Sequence, residues 1–266
     1  MNDSFQTLST LPSSGWRPLR WLNTALLALA LATPPLVECG QAQNEGEKPG
    51  TYVYPPDSQV FGTSYSKLAM AWWDWAFNQP PDMNPVVDST GAFCSVGQDQ
   101  DYGQGKKIFF LAGNFGGAEQ TVRRCTIPKG KALFFPIVNS LWITPEECVS
   151  EECRQIANGE VDQVTSLECK IDGVSVADLF AYRAQSPPGG SPFHIQSGGL
   201  VASFGAPYLV RGYLPGSMAD GYWLLVKLDD KKEHVIEFSA ARGVPTVFQL
   251  SVKYILTVAK DKGDKD

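Results

Sequence analysis

Residues 65–78 read Tyr-Ser-Lys-Leu-Ala-Met-Ala-Trp-Trp-Asp-Trp-Ala-Phe-Asn, between Ser64 and the pair Pro80-Pro81. Ser is a good helix cap and a Pro pair ends a helix, so the segment predicts a helix from Ser64 to about Asn78. At 100° per residue, Tyr65, Leu68, Ala69, Trp72, Trp75 and Ala76 share one face. Met70, Trp73 and Phe77 widen that apolar arc to well over half the circumference, leaving Lys67, Asp74 and Asn78 on the remainder. A surface helix needs a stripe only a little over 100° wide. This helix must therefore be covered from two sides, or else present its rings to a ligand or a membrane surface.

What covers it is expected to be β-structure. The chain has 25 Gly and 19 Pro among 266 residues, enough for many turns. Its last seventy residues alternate strand-like runs with turn residues: 200–204, 208–214, 222–228, 235–239 and 246–258. Such spacing suggests antiparallel strands in a sandwich. Further strands are predicted at 107–112, 132–138 and 168–171, the last closed by the turn Asp172-Gly173. Ala132-Leu133-Phe134-Phe135-Pro136-Ile137-Val138 reads as a central buried strand in which Pro136 implies a bulge or an edge. Residues 145–166 look helical, a capping-box pattern at Ser175–Asp178 predicts a short helix to about Arg183, and 186–199 reads as a loop. The expected fold is mainly β: an antiparallel, sandwich or jelly-roll-like single domain carrying the N-terminal Trp-rich helix and a helical insertion. Its domain would span residues 61–259, after a lead-in at 43–60 and before a frayed charged tail at 260–266.

The first forty-two residues read as an address. Arg17 and Arg20 precede an apolar run from Trp21 to Ala32, too short for the roughly 20 residues of a membrane span. A basic flank, a short apolar stretch and small residues describe a secretory signal, with Gly40 and Ala42 placed for a cut after Ala42 and Ala30 and Ala32 offering an earlier one. Membrane contact would then arise only through an uncleaved N-terminus or lipidation of Cys39. Export favours disulfides among Cys94, Cys125, Cys148, Cys153 and Cys169, with Cys94–Cys125 and one bridge among the other three as the expected pairing.

Composition removes some functions. With 22 Lys+Arg against 28 Asp+Glu the formal charge is −6, which argues against a nucleic-acid binder. The glycine clusters at 103–105 and 113–117 fit neither a dinucleotide fingerprint nor a P-loop, and no CxxC pair occurs, so neither a cofactor nor a metal is expected. Candidates for chemistry are few. Asp74 and the loop histidine His194 could serve acid–base work, although Asp74 sits on the polar side of its helix, where a solvated residue needs no function. Arg123, next to Arg124 and Cys125, could hold an anion by forked hydrogen bonds or simply lie exposed beside a disulfide. Asn139, just past the apolar strand, is placed to point into a pocket. Trp72, Trp73, Trp75 and Phe77 could line one.

Several motifs together, Tyr65…Trp72-Trp73-Asp74-Trp75, Phe93-Cys94-Ser95-Val96-Gly97-Gln98, Phe110-Leu111-Ala112-Gly113 and Cys125-Thr126-Ile127-Pro128-Lys129-Gly130-Lys131-Ala132-Leu133-Phe134-Phe135-Pro136, resemble an uncharacterised family of exported bacterial proteins. The resemblance implies export and a single domain over most of 60–258, and no activity. The residues favour a protein that binds a small hydrophobic molecule, a lipid or a glycan through an aromatic-lined pocket. A secreted hydrolase or lyase using carboxylates, with His194 as a helper, is the alternative.

Overall fold

The computed structural model describes residues 50–101, 105–142, 151–204, 212–229 and 231–259. Its strands are β1 (Tyr52–Val53), β2 (Ile108–Phe110), β3 (Thr121–Ile127), β4 (Ala132–Trp142), β5 (Val164–Ile171), β6 (Val174–Ser175), β7 (Ser191–Ile195), β8 (Gly212–Lys227), β9 (Glu233–Arg242) and β10 (Phe248–Val258). The helices are α1 (Tyr65–Asn78) and α2 (Glu151–Val161). One sheet runs in the order β1-β8-β4-β2, with β7 also on β8; the other runs β3-β10-β9-β5-β6. Pairing is antiparallel except for β2 with β4 and β3 with β10. The mainly β, sandwich-like class expected from the sequence is therefore the fold observed.

The central sheet is buried on both faces, and this decides the pattern of its sequence. Phe134 and Ala132 of β4, Trp223 and Leu225 of β8, and Ile108 and Phe110 of β2 face α1. Leu133, Phe135 and Ile137, with Leu224, Val226 and Phe109, face the second sheet. Strands covered on both sides read as unbroken apolar runs. The second sheet has one wetter face, so along most of their length β9 and β10 alternate between buried and half-buried residues. The molecule is layered as helix, sheet, sheet.

Ser64 caps α1 by accepting from the Lys67 N–H at 3.4 Å. The wide apolar arc is met by cover on several sides. Beneath it lies the central sheet, where Trp72 meets Trp223 edge-on at 5.6 Å. On one flank the 84–98 segment is tied down by Trp75 Nε1 donating to the Val96 carbonyl at 2.9 Å and by Asn84 Nδ2 donating to the Ala76 carbonyl at 2.6 Å. On the other flank Asn78 treats β7 as a strand partner: its Nδ2 donates to the His194 carbonyl (2.7 Å) and its Oδ1 accepts from Gln196 N–H (2.9 Å). On the side of the helix read as solvated, Asn78 is thus buried and Asp74 half-buried while Lys67 stays exposed, because β7 exists where a loop was expected. Phe193 and Ile195 point inward from it, and His194 points out.

Other departures have similar causes. β3 escaped notice because its inward-facing residues are Arg123, Cys125 and Ile127, a register whose apolar alternation opens with an arginine. Pro215-Gly216 and Asp220-Gly221 look like turns, yet β8 runs through both. Gly221 faces the β4 bulge, where a Cβ would stand 2.7 Å from that of Asn139, so the glycine permits a close strand approach. Pro136 behaves as expected, with the β4–β8 register shifting between Pro136 and Val138. Residues 200–204 form a 3-10 turn in place of a strand, and the short helix after 175 is a 3-10 turn at Leu179–Tyr182 preceded by strand β6. Tyr52 and Val53 of the lead-in pair with β8 and extend the central sheet.

Cys94 and Cys125 form a disulfide with a Cα–Cα distance of 5.9 Å, which suits an oxidising compartment outside the cytoplasm. Cys169 takes no bridge: its thiol is buried between the sheets, and burial pushes its pKa up to about 12. Cys148 and the side chain of Cys153 lie outside the described residues, as do the proposed leader and the 260–266 tail. No described helix is long and apolar enough to cross a membrane.

A cavity beside the tryptophan helix

β2 ends at Phe110, and its last link to β4 is Leu111 N–H donating to the Phe134 carbonyl at 3.0 Å. Beyond that point the next inward residue of β4 is Pro136, which has no N–H to offer a neighbouring strand. Among the described residues no strand continues β2 along this edge. The gap is a cavity of about 130 Å³, bounded by Trp72, Trp73 and Phe77 of α1 and by Pro136–Asn139 of β4. Val86, Gly113–Phe115 and Leu250 close its sides. Its mouth carries Glu160 of α2, Arg242 and Phe248, where Arg242 pairs with Glu160 at 2.7 Å and lies over the Phe248 ring at 4.9 Å.

The indoles of α1 are all buried, at 2 % exposure for Trp72, 7 % for Trp73 and 0 % for Trp75, yet they are not equivalent. Trp72 Nε1 donates to the Leu111 carbonyl at 2.8 Å, and Trp75 Nε1 to the Val96 carbonyl at 2.9 Å. Trp73 Nε1 is buried with no hydrogen-bond partner among the described residues. The same holds for Asn139 Nδ2 on the facing wall. A buried donor without an acceptor costs about 1–3 kcal/mol. Both belong to cavity-lining residues.

Gly113 is a further oddity of this wall. Its φ does not lie in the left-handed region, and an added Cβ would meet only Pro136 Cγ, at 4.0 Å. Neither backbone nor neighbours demand a glycine there; a side chain would simply take up space beside the cavity.

Arg123 is neither an exposed residue nor a ligand contact. It is 1 % exposed, and its guanidinium is consumed by the protein itself. Nε donates to the Asp88 carbonyl (2.6 Å); Nη1 donates to the carbonyls of Ala112 (2.7 Å) and Gly113 (2.9 Å) and to Tyr254 Oη (2.7 Å); Nη2 donates to the Val86 carbonyl (3.1 Å). It knots the 86–88 segment, the end of β2 and β10 together, immediately behind the cavity wall.

Asp74 and His194 meet away from the cavity. The Asp74 carboxylate accepts from the His194 backbone N–H at 3.4 Å, while the His194 side chain is exposed. Burial raises the Asp74 pKa to about 7, with the His194 N–H pulling weakly the other way. Glu160 is the one described carboxylate on the cavity and it is paired with Arg242. His234 is a structural residue of β9, buried, with Nδ1 at 2.8 Å from Asp172 Oδ2. Among the described residues no group of three His, Cys, Asp or Glu side chains could hold a metal.

These features define a sandwich-like protein with a small, largely apolar cavity between its helix and sheet layers. Neither a protein-family model nor a curated protein nor a solved structure matches the chain.

Proposed function

We propose that this is an exported protein, released by a cut after Ala42, that binds one small, mostly apolar molecule in the cavity beside α1. One observation carries the reading: the fold leaves unfilled a cavity walled by Trp72, Trp73 and Phe77 of α1 and by Pro136–Asn139 of β4. Size selects among the ligand classes that the aromatic residues suggest. At about 130 Å³ the space is well below the roughly 300–1,000 Å³ of common ligand pockets and close to the roughly 150 Å³ that admits benzene. A single ring or a short branched chain fits; a lipid tail or a glycan does not. The hydrolase reading loses support, because Asp74 and His194 stand apart from the cavity and Glu160 is engaged.

Thermal unfolding with toluene, benzyl alcohol and benzaldehyde tests this. A ligand that binds only the folded state raises stability by mass action, about 2.7 kcal/mol at one hundred times Kd. Saturable stabilisation is expected for the natural protein and its loss in Gly113→Leu, whose side chain would occlude the cavity. Equal responses from both proteins, or none from either, would refute the proposal.

A further inference from the structure

We propose that a guest enters and leaves this cavity at the end closed by Arg242, and that the Arg242–Glu160 ion pair is the latch on that route. The proposal rests on the binding reading above and adds the path to the site.

The lining residues differ in their cover. Those of α1, together with Val86, Gly113, Pro136–Val138 and Leu250, are buried. Only Phe115 and Glu160 among the lining residues are exposed, and Arg242 and Phe248 beside them are half-buried. Solvent therefore comes closest to the cavity where Glu160, Arg242 and Phe248 meet. The Glu160 side chain is 50 % exposed and that of Arg242 24 %.

The register of the second sheet shows what closes this end. Ile236, Phe238 and Ala240 of β9 are its inward residues, and Arg242 takes the next inward position. On β10 the inward residues Val252 and Leu250 are continued by Phe248, which is the direct cross-strand partner of Arg242. The row of apolar side chains thus ends in a cation where an apolar plug would have sealed the cavity for good. The guanidinium lies over the Phe248 ring at 4.9 Å, and its Nη1 meets Glu160 Oε2 at 2.7 Å. Phe248 and Glu160 hold the arginine across the opening from two sides.

Such a closure is weak enough to open. An exposed ion pair gives no more than about a fivefold preference for its closed arrangement. Exposed side chains also change rotamer within about a nanosecond. Guest exchange then proceeds in proportion to the fraction of time that the pair is broken. Removing the pair speeds entry and exit alike.

Exchange of fluorobenzene with the full chain, followed by ¹⁹F NMR line shapes, tests the route. The probe is uncharged, so an unpaired Arg242 neither attracts nor repels it. Glu160→Ala should raise the association and dissociation rate constants together, by about two- to fivefold. Arg242→Ala, which removes the closing side chain itself, should exchange at least as fast. Raising the ionic strength to about 1 M, where the screening length is roughly 3 Å, should speed exchange in the natural protein relative to Glu160→Ala. Saturable binding whose rates neither substitution changes overturns the route while leaving the cavity a binding site. So does faster dissociation with no matching rise in association, which would make the pair part of the wall. Absence of saturable binding in the natural protein and both variants overturns the binding reading as well.

Discussion

Two regions share a wall in this molecule and treat polar groups in opposite ways. Behind the wall, the Arg123 guanidinium meets four carbonyls and a tyrosine hydroxyl, so a fully buried cation has its N–H groups engaged. In front of it, Trp73 and Asn139 carry buried donors with no partner among the described residues. The same segments, around Val86 and Gly113, build both. A fold that satisfies one polar cluster so thoroughly and leaves a cavity unfilled beside it has a stability-bearing side and a side with room to spare. The comparison also separates three tryptophans that sequence treats alike: Trp72 and Trp75 are fasteners, and Trp73 is not.

The comparison can be broken most forcefully at Arg123. Arg123→Met should destabilise the protein by about 3–5 kcal/mol in denaturant unfolding, because several buried carbonyls lose their donor at once. An effect below about 1 kcal/mol would remove the stability-bearing role. Next in size is the Cys94–Cys125 bridge, which pins the same 86–98 segment to β3 across 31 residues. Its removal by paired Cys→Ala substitution should cost about 2–4 kcal/mol.

A subtler test sets neighbours against each other. Trp72→Phe abandons the Leu111 carbonyl, whereas Trp73→Phe abandons nothing. The first should be more destabilising by about 1–3 kcal/mol, and equality would erase the distinction between fastener and spare donor.

The smallest expected effect concerns pH. The folded-state pKa of Asp74 is raised by burial from an ordinary value near 4 to about 7, so over that range the folded protein binds more protons than the unfolded chain. The contribution of this group is fully present below pH 4 and is lost as pH rises through 7. Asp74→Asn should flatten that part of the stability profile relative to the natural protein; an unchanged slope would place Asp74 in ordinary solvent.

Much of the architecture was legible in the residues. The helix from Ser64 to Asn78 announces itself through its cap, its Pro-Pro stop and the width of its apolar arc. The bulge at Pro136, the Asp172-Gly173 hairpin turn and strands β9 and β10 follow from local rules, because each has a strand-breaking residue, a turn with demanding torsions or one wet face. What resisted reading depended on distant partners. Arg123 looks like a surface cation until β10 and the 86–88 segment close over it. β7 looks like a loop because Ser-Pro-Phe-His-Ile offers only two inward positions and receives its clamp from Asn78. The cavity itself could be suspected from the excess of rings, but not the state of each indole N–H. Which indole N–H is left over depends on where Leu111 and Val96 put their carbonyls, and nothing in residues 65–78 encodes that.

The most direct measurement follows the three indole N–H resonances of α1 in ¹⁵N-labelled protein while benzaldehyde is titrated in. Saturable shifts of the Trp72 and Trp73 indole signals, whose side chains line the cavity, with that of Trp75 nearly stationary, are the predicted result. Movement of all three together, or of none at concentrations well above those that saturate stabilisation, would contradict the seating of a guest against Trp72 and Trp73.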